Sequence, residues 1–81
     1  KVQMGVVRLA PGEKRPLEGF ARHTQDEFSY VIKGSAHTVL EDGTDLTGNP
    51  GDCQWIEAGE GHINYNDGTE TAEVVWFLVE R

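Results

Sequence analysis

The sequence predicts an all-β protein, a β-sandwich or a barrel, from three observations. Short segments rich in β-branched and aromatic residues recur along the whole chain. Turn-forming Gly, Pro, Asn and Asp residues separate these segments at intervals of about eight to twelve residues. No stretch of about ten residues repeats apolar positions three and four apart, as a helix packed on a core would. A chain of 81 residues is predicted to form one small domain, spanning residues 1–81.

The amino-acid composition limits the classes of partner that the chain can bind. Seven basic against fourteen acidic residues give a net charge of −7, which repels phosphate backbones and anionic lipid. We therefore expect neither nucleic acid nor a membrane as a partner, and the longest apolar run, residues 74–79, is too short to span a bilayer. A single cysteine excludes an internal disulfide, which leaves a metal ion or oligomerisation to stabilise so small a domain. Without cysteine pairing, the expected location is the cytoplasm.

Three strands are predicted in the first half of the chain. They are rich in β-branched or aromatic residues and span residues 2–10, 27–33 and 36–40. Residues 13–19 are charged and show neither the helical nor the strand periodicity of apolar residues, which is typical of a loop. An Asp42-Gly43 pair after the third strand predicts a hairpin to a further strand that begins near Thr44.

The second half is predicted to continue the same pattern. Its strands span residues 53–57, 61–65 and 71–79. The turn at residues 49–52 precedes them, and residues 66–68 predict a hairpin turn into the last strand. That last strand is apolar on both faces, which places it in the middle of a sheet or against a second subunit. For this reason we expect a homodimer.

Polar residues alternate just before the second predicted strand. His23, Gln25 and Glu27 are two residues apart, so an extended backbone would project all three side chains from one face. His62 follows two glycines that turn the chain, and this turn can place its imidazole opposite the polar row. Two histidines and a carboxylate from two strands are a common way to hold a catalytic first-row metal.

Two groups of residues also follow fixed spacings. Gly51, Gly59, His62 and Asn66 match the pattern of a glycine, seven residues, a glycine, two residues, a histidine, three residues and an asparagine. Residues 27–34 begin with glutamate and end with glycine, with six residues between the two, and three residues separate the glutamate from the preceding histidine, His23. These spacings resemble the two motifs of the cupin family over more than half of the chain. The resemblance implies a double-stranded β-helix, or jelly-roll barrel.

The resemblance also implies a divalent metal ion, Mn, Fe, Ni or Zn, bound by His23, Glu27 and His62. The first cupin motif carries two histidines separated by one residue, and gapless alignment places Ala21 at the first of them. In this alignment Gln25 is a weak ligand or a neighbour of the ligands. A shifted register makes His23 the first ligand and Gln25 the replacement for the second. Three ligands suffice, because a catalytic metal needs open positions.

Two functions follow from the resemblance. As a metal-dependent enzyme, the protein would act on a small organic molecule by dioxygenation, isomerisation or lyase chemistry, with His37 and Tyr30 as candidate acid/base groups. His37 is alternatively a substitute ligand that faces the cavity. Ala21, Glu57 in place of the usual motif proline, and a likeness of residues 27–31 to cupin domains of helix-turn-helix regulators instead favour a non-catalytic domain that binds or senses a small molecule. Such a domain needs no metal. A dimerising scaffold with a filled cavity is the third reading.

Overall fold

Eight strands form two antiparallel sheets in the computed structural model, which describes all of residues 1–81. Their bounds are β1 Val2–Leu9, β2 Lys14–Arg15, β3 Asp26–Lys33, β4 Ala36–Leu40, β5 Asp45–Gly48, β6 Cys53–Ile56, β7 His62–Tyr65 and β8 Ala72–Val79. The first sheet has the order β1-β8-β3-β6, and the second has the order β2-β7-β4-β5. The sequence prediction of an all-β fold is therefore confirmed. No helix of a length and hydropathy that could cross a membrane is present.

Strand β8 lies in the middle of the first sheet, between β1 and β3. Its residues Val74, Trp76 and Leu78 point into the space between the two sheets, and the residues that alternate with them face outward. Of the two positions predicted for this apolar strand, the interior of a sheet is the one observed.

The hairpin predicted at Asp42-Gly43 is present between β4 and β5. Gly43 has a φ of 92°, a left-handed conformation that glycine adopts without steric cost. The backbone N–H of Leu40 donates to the carbonyl of Thr44 at 2.8 Å, and the Thr44 N–H donates to the Asp42 carboxylate at 2.9 Å. Local turn chemistry therefore sets this connection.

The hairpin predicted between the last two strands is wrong, because β7 and β8 belong to different sheets. The buried side chain of Asn66 directs the chain from one sheet to the other. Its amide group donates to the carbonyls of Leu9 and Glu70, at 2.9 and 2.8 Å, and its oxygen accepts the Gly68 N–H at 2.8 Å. A turn rich in Asn, Asp and Gly is compatible with either topology, so the partners distant in sequence decide the pairing.

The predicted loop at residues 13–19 contains the short strand β2. Lys14 and Arg15 pair with Tyr65 and Asn64 at the edge of the second sheet. Two residues are too few to show a periodicity, so pattern analysis has no signal for such a strand.

Gly34, the glycine that ends the first motif, allows the chain after β3 to lie close to the start of β8. Its φ is 69°, and a Cβ atom there would lie 2.7 Å from the Thr71 carbonyl oxygen and 2.8 Å from the Ala72 Cα. Ala72 belongs to a small core with Leu9 and Ala36. Because this core is small, many of the other inward-facing side chains line a cavity instead of filling a core.

Candidate metal centre and cavity

The space between the two sheets contains a cavity of about 340 Å³. This volume lies at the lower end of the range for small-molecule sites, about 300–1,000 Å³. The cavity walls are mostly apolar, and only four of the lining residues carry titratable side chains, namely Arg15, His23, Glu27 and His62. Three of these four are the metal ligands predicted from the sequence.

Different parts of the fold position the three side chains. Glu27 is near the start of β3, His23 lies on the segment before that strand, and His62 is the first residue of β7. Ala21 and His62 exchange two backbone hydrogen bonds, at 2.9 and 3.0 Å, which hold the segment before β3 against the second sheet. Gly61 precedes His62, and a Cβ atom on Gly61 would lie 2.5 Å from the Glu41 carboxylate, so a side chain here would displace the ends of Glu41 and Arg22.

The three side chains converge on one point. His23 Nε2 lies 3.3 Å and His62 Nε2 lies 3.6 Å from the same carboxylate oxygen, Glu27 Oε1. The donor atoms of all three residues are within 4.8 Å of one another. His62 is buried, Glu27 is 14% exposed and His23 is 36% exposed at the side chain. The group therefore runs from the closed interior of the cavity to its mouth.

The observed spacing fits a first-row metal ion. Ligand atoms about 2.0–2.2 Å from one ion, in octahedral or tetrahedral geometry, lie about 2.8–3.6 Å from one another. The two separations from Glu27 Oε1, 3.3 and 3.6 Å, fall within this range. The other ring nitrogen of His62, Nδ1, lies 3.5 Å from the Glu60 carbonyl oxygen, on the side where metal-bound histidines usually donate their second N–H. The donor set is suited to a divalent metal.

Gln25 is not part of this group. The chain bends at Thr24 and Gln25, so the polar row is not continuously extended, and the Gln25 amide instead lies 3.4 Å from the Glu80 carboxylate. Ala21 and His23 both line the cavity, whereas Gln25 does not. This placement agrees with the gapless alignment and argues against Gln25 as a ligand in either register.

The expected placement of His37 in the cavity is wrong. On β4, the neighbours Ala36 and Thr38 line the cavity, and alternation therefore turns His37 to the outer surface. His37 Nδ1 lies 3.0 Å from Asp45, and its Nε2 lies 3.1 Å from Asp67. A substitute-ligand or acid/base role inside the cavity is incompatible with this position.

Tyr65 completes the outer cluster around His37. The two rings stack with centroids 4.5 Å apart, and the Tyr65 hydroxyl donates to Asp45 at 2.9 Å. This hydrogen bond, followed by that of His37, lowers the pKa of Asp45. The same bond to Asp45 is the main cause of the raised pKa of Tyr65. We refer to His37, Asp45, Tyr65 and Asp67 as the outer cluster.

Tyr30 is also outside the cavity. It is 44% exposed on β3, whose neighbouring residues Ser29 and Val31 line the cavity. The sequence prediction that Tyr30 acts as an acid or base in the site therefore fails for the same reason as that for His37, because each is on the outward half of an alternating strand.

Five polar residues of the cavity were not predicted from the sequence. Arg15 is brought there by the short strand β2, Ser29 lies on β3, and the other three, which form hydrogen bonds inside the cavity, are Thr38, Gln54 and Asn64. Strand alternation predicts that Thr38 lies on the face opposite His37 and that Gln54 lies on the face opposite Trp55. It does not show which of the two faces is turned toward the cavity. Arg15 had no sequence signal, because β2 was not recognised.

The fold and the site together define a class of protein, an antiparallel jelly-roll barrel whose cavity carries a His-Glu-His group that could hold a metal ion. The family model "Cupin domain" matches residues 5–78, and the chain belongs to this family. Among curated proteins, no match is found. The resemblance derived from the two motifs, and the double-stranded β-helix fold, are therefore confirmed.

Solved structures share the fold over nearly the whole chain. A cupin-superfamily protein from Silicibacter pomeroyi, described as a sugar phosphate isomerase, is 31% identical with a TM-score of 0.81, covering 99% of this chain and 51% of its own. A predicted oxalate decarboxylase from Thermotoga maritima is 20% identical with a TM-score of 0.81, and the match covers 96% of this chain and 65% of that protein. An RmlC-like cupin from Methanocaldococcus jannaschii is 19% identical with a TM-score of 0.87, and the match covers 98% of this chain and 70% of that protein. The chain thus spans about half the length of the Silicibacter pomeroyi protein and about two thirds the length of the Thermotoga maritima protein.

Proposed function

We propose that this protein binds a divalent metal ion, Mn, Fe, Ni or Zn, through His23, Glu27 and His62 and acts on a small organic molecule in the cavity. The observation that carries this proposal is the convergence of two imidazole nitrogens on one carboxylate oxygen, at 3.3 and 3.6 Å. When bound, the ion supplies a Lewis acid at the cavity mouth. Three protein ligands leave positions open for a substrate.

The residues of this chain have distinct tasks in such a site. Buried His62 and largely buried Glu27 fix the inner side of the metal position, and the more exposed His23 closes it toward solvent. Apolar side chains of Leu9, Val31 and the strand β8 form much of the remaining cavity wall. A substrate that enters past His23 is therefore held with one end at the metal position and the other between the sheets.

Isomerisation is the reaction type that the comparisons favour over dioxygenation and lyase chemistry. The support is the 31% identity to the protein described as a sugar phosphate isomerase, which exceeds the identity to the predicted oxalate decarboxylase. The region shared with this chain is about half of that protein, and isomerase activity of this chain is therefore our proposal.

A specific observation favours the second candidate, a non-catalytic domain that binds or senses a small molecule. Once His23, Glu27 and His62 are assigned to a metal, Arg15 is the only titratable residue that remains in the cavity lining. An arginine is a poor general base because it stays protonated. Within residues 1–81 the cavity therefore has no free side chain suited to proton abstraction, and a binding role needs none.

Elemental analysis of protein purified without chelator tests the metal proposal. We expect about one equivalent of a first-row metal per chain, removable by chelator. Absence of stoichiometric metal, also after incubation with Mn²⁺, Fe²⁺, Ni²⁺ and Zn²⁺ in turn, would contradict it. Turnover of a sugar phosphate that stops on chelation would favour the enzyme, whereas ligand binding that persists in chelated protein without turnover would favour the sensing domain.

We also propose that a second copy of the chain covers the outer face of the first sheet. Seven of the nine exposed large apolar side chains lie there, on β1, β3 and β6: Val2, Met4, Val6, Phe28, Tyr30, Ile32 and Trp55. Their exposed area is roughly 700 Å², close to the ~800 Å² that each partner buries in a standard interface. Sedimentation should give a dimer at micromolar concentration and a weaker dimer for Trp55→Ser. A monomeric wild-type protein would refute this.

A further inference from the structure

One wall of the cavity carries a cation near the proposed metal ligands. Ala21 is paired with His62, and Arg15 is paired with Asn64, so each pair shares one face of the sheet. His62 and Asn64 are two residues apart on β7, and therefore Arg15 and Ala21 are separated by about 7 Å along the same wall. All four residues line the cavity.

The Arg15 guanidinium is held by only one of its edges. Its Nε donates to Glu13 Oε2 at 2.7 Å, and the other oxygen of Glu13 accepts the backbone N–H of Ala10 at 2.9 Å. Glu13 thus ties Arg15 to the backbone, and the Nη groups make no hydrogen bond within the chain. These N–H groups form a planar fork that matches a carboxylate or a phosphate.

The charge of Arg15 is exceptional for its position. No other lysine or arginine lines the cavity, and the chain as a whole has a net charge of −7. The general field of an acidic protein repels anions. Arg15 is 57% exposed and its Nε edge is paired with Glu13, so the feature that the cavity wall offers to an anion is the unpaired Nη edge of the guanidinium.

Uncharged polar groups lie beside Arg15 and form a polar floor, which comprises Thr38, Gln54 and Asn64. Thr38 Oγ1 is 2.9 Å from the side-chain amides of both Gln54 and Asn64, and its contact with Gln54 joins the two sheets. A hydroxyl donates only one proton, so one of these amides must present its NH₂ group to Thr38. Because the three residues line the cavity, their remaining hydrogen-bonding groups can meet hydroxyl groups of a ligand.

We propose that the cavity selects a small hydroxylated anion, whose carboxylate or phosphate is bound by Arg15 and whose hydroxyl groups are bound by the polar floor. This inference rests on the proposed function, because the opposite end of the ligand lies at the group formed by His23, Glu27 and His62. The small side chain of Ala21 leaves space for a ligand between that group and Arg15.

Calorimetric titration with three matched probes tests this selectivity. Ni²⁺-loaded protein is titrated with D-ribose 5-phosphate, D-ribonate and D-ribose. We expect at least one of the two anions to bind about tenfold or more tightly than ribose, because a charge-assisted bidentate contact is added. The anion that binds more tightly identifies the group, phosphate or carboxylate, that Arg15 receives.

Variants separate Arg15 from general electrostatics. Arg15→Gln should abolish the preference for the anion over ribose at unchanged metal content, and Arg15→Lys should retain part of this preference. Arg8→Gln is the matched control, because Arg8 is an exposed arginine paired with Glu73 and does not line the cavity. Equal binding of ribose and both anions, an anion preference that survives in Arg15→Gln, or an equal loss in Arg8→Gln would overturn the proposal.

The polar floor is tested separately from the charge. Thr38→Val keeps the shape of the side chain but removes its hydroxyl. This variant should lower the affinity for the preferred sugar anion by about tenfold and leave the affinity for inorganic phosphate unchanged. Inorganic phosphate that binds wild-type protein as tightly as both sugar anions would overturn the hydroxyl part of the proposal.

The failure of this inference is distinguishable from failure of the metal proposal. Metal content is measured before each titration, and the anion preference is measured again in chelated protein, where Arg15 still carries its charge. Bound metal without anion preference refutes only the selectivity. Anion preference without stoichiometric metal refutes only the metal proposal and supports the selectivity.

Discussion

Two histidine-carboxylate groups lie on opposite sides of the same sheet and are built in opposite ways. In the cavity, His23 and His62 direct one nitrogen each at a single oxygen of Glu27. In the outer cluster, His37 directs its two nitrogens at two different carboxylates, those of Asp45 and Asp67, 3.0 and 3.1 Å away.

The difference shows that residue type alone does not define a metal site. Donors that converge on one point can share an ion, whereas carboxylates on opposite nitrogens of an imidazole are too far apart to do so. The outer cluster instead links the strands β4 and β5 to the chain after β7, through His37, Asp45 and Asp67. The convergent group is thus suited to binding and the divergent group to holding the surface of the sheet together.

The largest expected effect distinguishes the two groups by metal affinity. His62→Ala removes a convergent donor and should lower affinity by more than about 100-fold, since loss of a supporting partner alone costs 10–100-fold. Glu27→Gln should act similarly. His37→Ala is the matched control and should leave metal content unchanged. Elemental analysis after equilibrium dialysis measures all three, and equal metal loss from His37→Ala and His62→Ala would contradict the distinction.

A gain of affinity is expected when a donor is added to the convergent group. Ala21→His places an imidazole beside His62 on the cavity wall, at the first histidine position of the family motif. Metal should bind about tenfold or more tightly, because a fourth protein ligand joins a partly formed site. Competition with a chromogenic chelator measures this. Unchanged affinity, with the introduced imidazole shown by spectroscopy not to ligate Co²⁺, would show that position 21 does not face the metal.

A smaller effect is expected from pH on the outer cluster. The lowered pKa of Asp45 contributes stability above the ordinary aspartate pKa, about 4, and this contribution is lost as pH falls through the lowered value. The raised pKa of Tyr65 contributes stability below about pH 10, lost as pH rises through the raised value. Tyr65→Phe should therefore lower the melting temperature between about pH 5 and 9, by less than about 5 °C.

Thermal melts from pH 2 to 11 test this dependence. The difference between the wild type and Tyr65→Phe should shrink at both ends of that range, while metal content at pH 7 stays the same. A difference that is constant with pH would show that Asp45 and Tyr65 do not interact through their charges.

The smallest expected effect concerns Gln25. Gln25→Ala should leave metal affinity within about twofold of wild type, because this side chain is near Glu80 and outside the cavity. The same titration used for His62→Ala measures it. A loss comparable to that of His62→Ala would restore the shifted alignment, in which Gln25 replaces a histidine.

Local features of the chain predicted much of the fold. The strand at residues 36–40 and the turn at Asp42-Gly43 were correctly predicted, because β-branched residues and a glycine with positive φ act over a few residues. The connection after Asn66 was not, because the same turn residues serve a hairpin or a crossing between sheets. Its direction depends on the hydrogen bond that the Asn66 side chain donates to the carbonyl of Leu9, which is 57 residues away in sequence.

The sequence by itself determined seven of the eight strands, the motif spacings and the three residues that converge in the cavity, His23, Glu27 and His62. Only the tertiary structure decided which half of each alternating strand faces the cavity, and it moved His37, Tyr30 and Gln25 outside and Arg15 inside. The physical reason is that alternation fixes which residues share a face, whereas the choice of the buried face depends on the pairing of strands distant in the chain.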